Sequence, residues 1–439
     1  MVGIVATTTY SYAQYSGDAL RFSQTNYGST SRFKAMGNAQ IGVGGDISSL
    51  GGNPAGLGFF TKSEFVFTPE FNNTTIDGIY LNTQTKTNKS QVNLNQMGAV
   101  FYMPTYKVKG QETTKGLVSA VIGIGYNRNN DYGLEGNFSG VNNKTSVYNA
   151  FGDYSVAPNS MQVVNVSRSG SVSEFNVAGA LNISNQIYIG ATLGLINLKY
   201  DYASMLDEDG IANNYYINYN QNQYTKGSGV NAKFGIIFKP IPELRLGANL
   251  QTPTWFNIDD SYTESSNDPK ILSSETYYFS YNLRTPLKGS LGASYVIGNR
   301  ALLSADVDFV DYSTIRFSSS DGGDMSTITA DNNEVRTSYK SAINYRIGGE
   351  LKLNDLFSLR AGYGLNGTAY KDDNNDDFAT KFYSGGIGYR TSGYYIDLAY
   401  QRTETRSTFS PYLLENFSEP VADAKNNKNN VFLTLGLRF

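Results

Sequence analysis

Alternation of apolar and polar residues is the feature of this sequence that most constrains its fold. The last nine residues, 431–439, place Val, Leu, Leu, Leu and Phe at the odd positions and mostly small or polar residues between them. Successive side chains of a β-strand point to opposite faces, so this segment is a strand with one apolar and one polar face. The pattern recurs along most of the chain, which is typical of a β-barrel with lipid outside and water inside.

The connections between these strands differ in length. Short turns at Gly298-Asn299, Asn354-Asp355 and Ser392-Gly393 join pairs of alternating strands, as at the periplasmic rim of a barrel. Longer polar stretches are predicted to be extracellular loops, at residues 127–163, 201–228, 257–275, 318–336 and 402–430. At about ten residues per strand, the chain accommodates roughly twelve to sixteen strands. We therefore predict an all-β, transmembrane antiparallel barrel.

Composition excludes several functional classes. The chain has no cysteine and no histidine, which removes thiol chemistry, the common zinc ligands and histidine-dependent hydrolysis. We expect no enzyme activity, no cofactor and no bound metal. The formal net charge of −3 gives no electrostatic reason to expect nucleic acid as a partner. No stretch approaches the roughly 18 apolar residues of a membrane helix.

The amino-terminal part of the chain differs from the rest. Residues 1–14 are predicted to be the remnant of an export signal, because small residues at Ser11 and Ala13 flank a peptidase-like site. Residues 15–60, here called the hatch, are rich in Gly, Ser and Asn, with a short helical turn expected around residues 31–36. We predict that the hatch fills the barrel lumen, the alternative being a periplasmic tail. Residues 61–439 form the predicted barrel.

Charged residues recur at positions that the alternation assigns to the lumen. Because a Lys or Arg facing lipid at the membrane midplane costs about 2–4 kcal/mol, inward charges of both signs predict a salt-bridged, filled interior. Contact with a ligand is the alternative to that structural role. These inward positions are Lys233, Arg245, Lys288, Asp306, Asp308, Arg346, Glu350, Arg360, Arg390, Asp397 and Arg438.

Several segments together resemble one known family. Asn53-Pro54-Ala55-Gly56 closes the hatch just before the first strand, and residues 305–313, 345–351, 358–363 and 386–400 carry acidic, aromatic and glycine-rich strand motifs. This set resembles the FadL family of outer-membrane transporters for long-chain fatty acids and other hydrophobic compounds. The resemblance spreads over nearly the whole chain, and the set is more specific than any single piece.

The resemblance implies a barrel of about 14 strands with a hatch, in the outer membrane of a Gram-negative bacterium. It implies passive uptake of fatty acids, aromatic hydrocarbons or similar molecules, with hatch rearrangement and lateral release through a kink in the third strand. Gly98 and Pro104 are predicted to lie at that kink, although the common occurrence of Gly and Pro at strand ends explains them equally well. Membrane lipid and lipopolysaccharide are the expected surroundings, and the barrel is expected to act as a monomer.

Candidate ligand contacts follow from location in the hatch alone. They are the basic residues Arg21, Arg32 and Lys34 and the apolar residues Phe22, Phe33 and Met36, the last three being equally suited to a hatch core.

Two other functions remain open from the sequence. A barrel of similar build with Tyr- and Asn-rich loops also fits a non-transporting partner subunit of secretion or surface-protein machinery. A haem receptor would depend on Tyr ligation, since histidine is absent. The acidic run at residues 372–377 begins like a calcium loop but lacks Gly at its sixth position and an acid at its twelfth, and is predicted to be a solvated loop.

Overall fold

The computed structural model describes residues 10–24, 26–108, 112–155, 158–211, 214–269, 271–319, 325–414 and 417–439, with side chains from Tyr15 onward. Strands make up most of it. They are β1 (Glu64–Tyr80), β2 (Thr83–Pro104), β3 (Leu117–Asp131), β4 (Leu134–Asn142), β5 (Ser160–Ile183), β6 (Ile187–Gly210), β7 (Tyr216–Phe238), β8 (Leu244–Gln251), β9 (Trp255–Ser266), β10 (Glu275–Arg284), β11 (Lys288–Ile297), β12 (Ala301–Asp311), β13 (Arg316–Ser318), β14 (Ser341–Lys352), β15 (Phe357–Asn366), β16 (Thr380–Arg390), β17 (Tyr394–Phe409) and β18 (Ala422–Arg438).

Short helical segments account for the remaining regular structure. They are the helices α1 (Tyr10–Ser23), α2 (Ser31–Ala35), α3 (Val147–Ala150) and α4 (Met325–Ser338) and the 3-10 turns Ile47–Leu50, Pro54–Phe59 and Tyr312–Thr314. The helical turn predicted around residues 31–36 is confirmed as α2. Among the described residues, no helix is long and apolar enough to cross a membrane.

The strands form one antiparallel sheet that closes on itself. The first and last strands pair from Glu64 opposite Arg438 to Ile79 opposite Asp423, which completes the ring. Four positions in the ring are each built from two consecutive segments: β3 with β4, β8 with β9, β10 with β11, and β12 with β13. The 18 segments therefore occupy 14 positions, and the predicted 14-stranded barrel is confirmed.

The alternation predicted from the sequence defines the two faces of the wall. In β18, Leu433, Leu435 and Leu437 are exposed on the outside, whereas Phe432 and Thr434 are completely buried on the inside. Apolar and aromatic side chains surround the barrel in the same way on neighbouring strands, and pairs such as Phe357 and Tyr389 lie near the turns. An apolar belt on the outside and a polar lumen are the signature of a membrane-spanning barrel.

The turns at the two ends of the barrel differ. Five connections at the hatch end have only three to five residues, at 184–186, 239–243, 298–300, 353–356 and 391–393. Gly298 and Asn299 both have positive φ, 53° and 57°, as tight hairpin turns require. The hatch end also has one longer connection, 105–116, and the opposite, extracellular end carries most of the longer connections, the two-residue turn 81–82 being an exception.

The predicted boundaries of the extracellular loops are wrong in most cases. Strands β5, β6 and β7 continue through much of residues 160–228, and β17 and β18 continue into residues 402–430. The backbone ladder extends above the membrane, where the outer face meets water and its side chains are polar. Hydropathy alternation disappears there although the strands continue.

The amino-terminal segment enters the lumen. Of the predicted signal remnant, residues 1–9 lie outside the described residues, and residues 10–14 form the first part of α1. Nearly every hatch side chain from Tyr15 to Phe60 is buried. The hatch backbone lies directly on the inner wall, because a β-carbon at Gly348 or Gly362 would overlap the backbone of Met36 and Gly37.

This close approach gives a test of the hatch position. We expect Gly362→Ala to cost about 1–3 kcal/mol by overpacking, to lower the midpoint of thermal unfolding in detergent and to raise the conductance of single channels in planar bilayers. Gly289→Ala is the matched control, because a β-carbon there meets nothing within 4 Å. Equal behaviour of the two variants would show that the hatch does not rest on the wall.

Candidate functional site

An apolar cluster lies inside the extracellular end of the barrel. Helix α3 and the segment around Tyr412 cover it, and the hydroxyl of Tyr412 lies 3.1 Å from Asn142 Nδ2 and 3.0 Å from Thr145 Oγ1. We call this the mouth cluster. Its buried members are Ile76, Tyr80, Phe138, Val147, Tyr148, Val164, Val166, Leu206, Ile217, Tyr219, Ile271, Tyr412, Leu414, Ala422 and Ala424.

A second apolar region, the helix pocket, lies deeper in the lumen around α1. Tyr202 packs against both regions and joins them. Four side chains of α1 pack into the pocket: Tyr15, Ala19, Leu20 and Phe22. Its other buried members are Val172, Ile196, Leu198, Tyr200, Phe256, Ile258, Leu283, Val310, Tyr312, Ile315, Phe317, Val335, Tyr339, Ala342 and Ala369.

A polar cavity of about 340 Å³ adjoins the helix pocket at Arg21 and Tyr132. Its wall includes six cationic side chains, Arg21, Lys34, Arg128, Arg168, Arg346 and Lys428, but only the two carboxylates of Glu70 and Asp131. Some of the positive charge is neutralised, since Asp131 pairs with Arg128 and Lys428, Asp18 with Arg21, and Asp308 with Arg346. The cavity keeps an excess of positive charge and is suited to an anionic group.

Two of these cations have no acidic partner in the described part of the chain. Lys34 Nζ donates to the carbonyl of Tyr27 at 2.9 Å and lies 5.0 Å from the ring centre of Phe432. Burial lowers the pKa of Lys34 to about 8; Glu70 opposes this shift and Lys428 adds to it. Arg168 stacks on Tyr202 at 5.7 Å, and no described carboxylate lies within 4 Å of either cation. Both remain available to an anion.

Tyr27 fixes the hatch side of this cavity. Its hydroxyl lies 3.2 Å from Asp308 Oδ1, and its ring lies 4.3 Å from Lys288 Nζ and 4.9 Å from the guanidinium of Arg346. The ring is therefore held between two cations, in contacts worth about 0.5–2 kcal/mol each.

The motif Asn53-Pro54-Ala55-Gly56 anchors the end of the hatch. Asn53 Oδ1 accepts a hydrogen bond from Ala55 N at 3.1 Å, and Asn53 Nδ2 donates to the carbonyls of Ile41 at 2.8 Å and Ile236 at 3.2 Å. Pro54 begins the following 3-10 turn, where its missing N–H costs nothing. One asparagine thus caps the turn, ties two hatch segments together and holds them to β7.

A chain of ion pairs fixes α2 to the opposite wall. Arg32 donates to both oxygens of Glu350, at 2.9 and 3.1 Å, and Arg360 bridges Glu350 and Asp397 at 2.6 Å each. Burial lowers the pKa of Arg32, and the Glu350 carboxylate more than offsets this and raises it. The predicted salt bridges of the interior are confirmed at these positions and at Lys233 with Glu174.

The third strand of the barrel is interrupted beside the cavity. Strand β2 pairs with β1 from Thr83 to Val100 but with β3 only from Gln96 to Pro104. Strand β3 has an irregularity between Arg128 and Asn130, and the chain leaves the ladder at Tyr132 and Gly133.

Residues 83–95 of β2 therefore face residues 128–142 without a ladder in the described sheet, and we call this the seam. Side chains bridge it, with Gln91 Nε2 2.7 Å from Asp131 Oδ1 and Lys89 Nζ 3.3 Å from Glu135. Residues 128–134 line the cavity from inside, so the cavity reaches the seam.

The placement of Gly98 and Pro104 in the third strand is wrong. Both lie in β2, the second strand, where Gly98 pairs regularly with Gly125. A β-carbon at Gly98 would lie 2.6 Å from the carbonyl of Ile124 and 3.0 Å from Ile47 of the hatch. Gly98 thus leaves room for Ile47 of the hatch to pack against the wall, and Pro104 ends the strand.

The remaining predicted ligand contacts separate into two groups. Arg21 and Lys34 line the cavity, and Phe22 lies in the helix pocket. Arg32 is held by Glu350, and Phe33 and Met36 pack with Val43 and Leu302 in the hatch core. Sequence reasoning missed Tyr27, Arg128, Arg168 and Lys428 in the cavity wall, because they come from separate elements and no local motif unites them.

The acidic run at residues 372–377 makes hydrogen bonds within its own loop. Asp373 accepts from the backbone N–H of Asp377 at 2.8 Å and of Phe378 at 2.9 Å. Nowhere in the described ranges do three or more acidic residues form a group suited to a metal ion.

The barrel, its hatch and the charged lumen define a class, the plugged membrane-spanning barrels of the outer-membrane type. No protein-family model matches the sequence, and no curated protein sequence matches it significantly. Solved structures do match. A Pseudomonas aeruginosa FadL homologue superimposes with a TM-score of 0.60 at 14% identity, covering 95% of this chain and 98% of that one.

Two further structures agree with this. The toluene transporter TodX of P. putida gives a TM-score of 0.61 at 12% identity, covering 94% and 99% of the two chains. The toluene transporter TbuX of Ralstonia pickettii gives 0.56 at 13% identity, again covering 94% and 99%. The chain has the FadL-type outer-membrane transporter fold, as the sequence motifs predicted.

The ion-pair chain predicts how firmly α2 is held. Glu350→Gln would leave Arg32 and Arg360 buried without their shared carboxylate, at a cost of about 3–5 kcal/mol. We expect protection of the α2 amide hydrogens from exchange to fall about a hundredfold or more. Glu404→Gln, which breaks a half-exposed pair with Arg402, is the control and should change nothing measurable. Unchanged protection in Glu350→Gln would mean that glycine packing alone holds the hatch.

Proposed function

We propose that this chain is a passive outer-membrane channel for hydrophobic molecules, with long-chain fatty acids as its principal ligands. The single observation that carries this proposal is the cationic cavity next to an apolar pocket. A fatty acid has one carboxylate and a long apolar tail, and the lumen offers Lys34 and Arg168 for the first and the helix pocket for the second. The FadL-type fold and the toluene transporters that share it support a hydrophobic ligand.

The route begins at the extracellular end. The mouth cluster gives an apolar ligand a first surface on which it loses water, at about 25 cal/mol per Å² buried. Tyr202 joins this cluster to the helix pocket, so the ligand moves inward without crossing a purely polar region. Movement needs no energy source, because the ligand passes from water to an apolar site and then to lipid.

The position of the cavity supports lateral release at the seam. Residues 128–134 form both the cavity wall and one edge of the seam. Bonds that involve at least one side chain join residues 83–95 to residues 128–142 in the described sheet, so opening breaks no backbone ladder. A hydrophobic tail that leaves at the lower end of the seam, beside Asn95 and Arg128, enters the outer edge of the membrane and avoids the periplasm.

Hatch rearrangement is expected on the side nearest the seam. The turn Ile47–Leu50 meets β1–β3 mainly through apolar contacts with Val66, Val100 and Val121. Both polar atoms of the Asn127 amide are without a hydrogen-bond partner among the described residues. The opposite side carries the ion pairs of Arg32. Residues 46–52 can therefore shift at lower cost than α2.

The exterior fits a single barrel among lipopolysaccharide. The wall closes within one chain through β1 and β18, so no second copy is needed to complete it. Lys86, Arg406 and Lys425 lie on the outer face above the apolar belt, where they can meet lipid phosphates.

Uptake of labelled oleate and toluene into cells lacking their own channel tests the ligand class. We expect the protein to admit both, and oleate binding to weaken about tenfold or more as pH rises through about 8, because Lys34 loses its charge there. Lys34→Met should bind oleate weakly at every pH, whereas uncharged toluene should show no such step. Lys62→Met, at an exposed lysine, is the control. Uptake of neither probe would rule out the proposed function.

A disulfide cross-link across the seam tests lateral release. The native chain has no cysteine, so only the introduced thiols can react. A β-carbon at Gly133 would lie 2.5 Å from the amide at the end of the Gln91 side chain, so a short bis-methanethiosulfonate reagent can link Gln91→Cys to Gly133→Cys across the two edges. We expect this cross-link to block oleate uptake and reductant to restore it. The control is Asn73→Cys with Ser90→Cys, across two strands already paired. Normal uptake with the seam locked would mean that the ligand leaves by another path.

A further inference from the structure

Three neighbouring positions of the barrel wall are interrupted side by side. The breaks separate β8 from β9, β10 from β11, and β12 from β13. On the extracellular side of the breaks, Trp255 begins β9, Arg284 ends β10 and Arg316 begins β13. Arg284 lies directly opposite Trp255 on one side and directly opposite Arg316 on the other. The three residues therefore form a short row across the wall.

This row lies on the outer face of the barrel. Leu283 and Phe317, the neighbours of the two arginines in sequence, are at most 3% exposed and belong to the helix pocket inside the lumen. Because successive side chains of a strand point to opposite faces, Arg284 and Arg316 point away from the lumen, and both are exposed.

The two guanidinium groups have no counter-charge among the described residues. No described carboxylate lies within 4 Å of either group. Two outward-facing acids on neighbouring segments have other partners, since Asp259 accepts from Ser280 Oγ at 2.7 Å and Asp311 accepts from Ser313 Oγ at 2.7 Å. Like charges directly opposite each other destabilise a strand pair. An anion bound between the two arginines would remove this repulsion.

The arginine pair lies at the upper border of the apolar belt. In the same two positions of the ring, the exposed apolar side chains nearest to the pair on the membrane side are Leu287 and Phe309, which are 50% and 47% exposed. The next outward residue above Arg284 is the polar Asn282. The only tryptophan of the chain, Trp255, is 51% exposed at this border, where tryptophan is typical of membrane proteins.

A lipid phosphate fits this position better than a free phosphate. The planar guanidinium groups of Arg284 and Arg316 match the oxygens of a phosphate group. The lipid A part of lipopolysaccharide, the glycolipid of the outer leaflet, carries its phosphates on sugars directly above its acyl chains. With a phosphate between the arginines, the acyl chains would lie along Leu287 and Phe309. A free phosphate would make no use of that apolar surface.

We propose that Arg284 and Arg316 bind a phosphate of lipid A on the outer wall of the barrel. The phosphate neutralises the pair and holds β13, a strand of only three residues, against β10. This inference is independent of the transported molecule. The double variant described below should therefore take up oleate and toluene at the normal rate.

Native mass spectrometry of the purified protein in detergent measures the lipid directly. We expect the unmodified protein to retain bisphosphorylated lipid A, and Arg284→Gln with Arg316→Gln to weaken this binding about tenfold or more, because the charge-assisted hydrogen bonds are lost. Lys62→Gln with Arg300→Gln removes the same charge from exposed positions at the hatch end and is the control. Its lipid A binding should be unchanged.

Two further ligands identify the source of the phosphate without any variant. Lipid A without phosphates but with the same acyl chains should bind the unmodified protein about tenfold or more weakly. Inorganic phosphate should not displace bisphosphorylated lipid A. Displacement by inorganic phosphate, or equal binding of the two forms of lipid A, would overturn the proposal.

Thermal unfolding distinguishes a lipid site from a purely structural role. In detergent without lipid A, the double arginine variant should unfold at the same temperature as the unmodified protein or higher, because repulsion between like charges is gone. Added lipid A should raise the midpoint of the unmodified protein and leave that of the variant unchanged. A lower midpoint of the variant without lipid A, or equal lipid A binding by the two proteins, would overturn the proposal and leave the transport function in place.

Discussion

Closure of the sheet is the constraint on which the rest of this structure depends. In hydrocarbon no water is present to pair with backbone N–H and C=O groups, so a strand can cross only if both of its edges are bonded. The ladder between β1 and β18 meets this requirement for the last open edge. Alternation follows, because each strand then has one face toward lipid and one toward the lumen. Charged residues such as Arg346 and Asp308 are tolerated because the wall shields them from lipid.

Closure leaves a lumen that must be filled, and the hatch fills it in two different ways. Toward β14–β17, buried ion pairs around Glu350 and a close backbone contact at Gly362 hold α2. Toward β1–β3, Ile47 and Leu50 pack against small wall residues that include Gly98 and Gly123. Separating the charges of a buried ion pair in a low dielectric is costly, whereas one apolar surface can shift over another at little cost. This asymmetry is the reason why we propose that the hatch moves on the side toward β1–β3.

The sequence was most informative where the membrane imposes a pattern. Alternation identified the strands inside the apolar belt, and glycine or asparagine turns identified the hairpins, since both follow from local geometry. The upper half of the second strand is not evident from the sequence, because residues 83–93 of β2 are polar and largely exposed above the belt, where alternation has no cause. The family resemblance placed Gly98 in the third strand, one position too far along the barrel.

The candidate site was less accessible to sequence reasoning. Arg21 and Lys34 were found from their place in the hatch, but Arg128, Arg168 and Lys428 lie on three different strands and meet only because the barrel closes. The odd or even position of each residue along its strand shows that its side chain faces inward. It does not show that the three side chains lie at the same height along the barrel axis. Such a site is a property of register between distant strands, which no single segment encodes.

The same physics that forbids an open edge in the membrane explains where the wall is interrupted. The seam begins at Asn95 and Arg128, at the upper limit of the apolar belt, where polar side chains such as Gln91 and Asp131 replace the missing ladder. Deeper in the wall, Gln96 to Pro104 pair fully with β3. On the route we propose, a ligand held with its carboxylate in the cavity would have two exits: downward past a hatch fixed by buried ion pairs, or sideways past a few polar contacts. For a molecule that is itself soluble in lipid, the sideways exit breaks fewer bonds and ends in a favourable solvent.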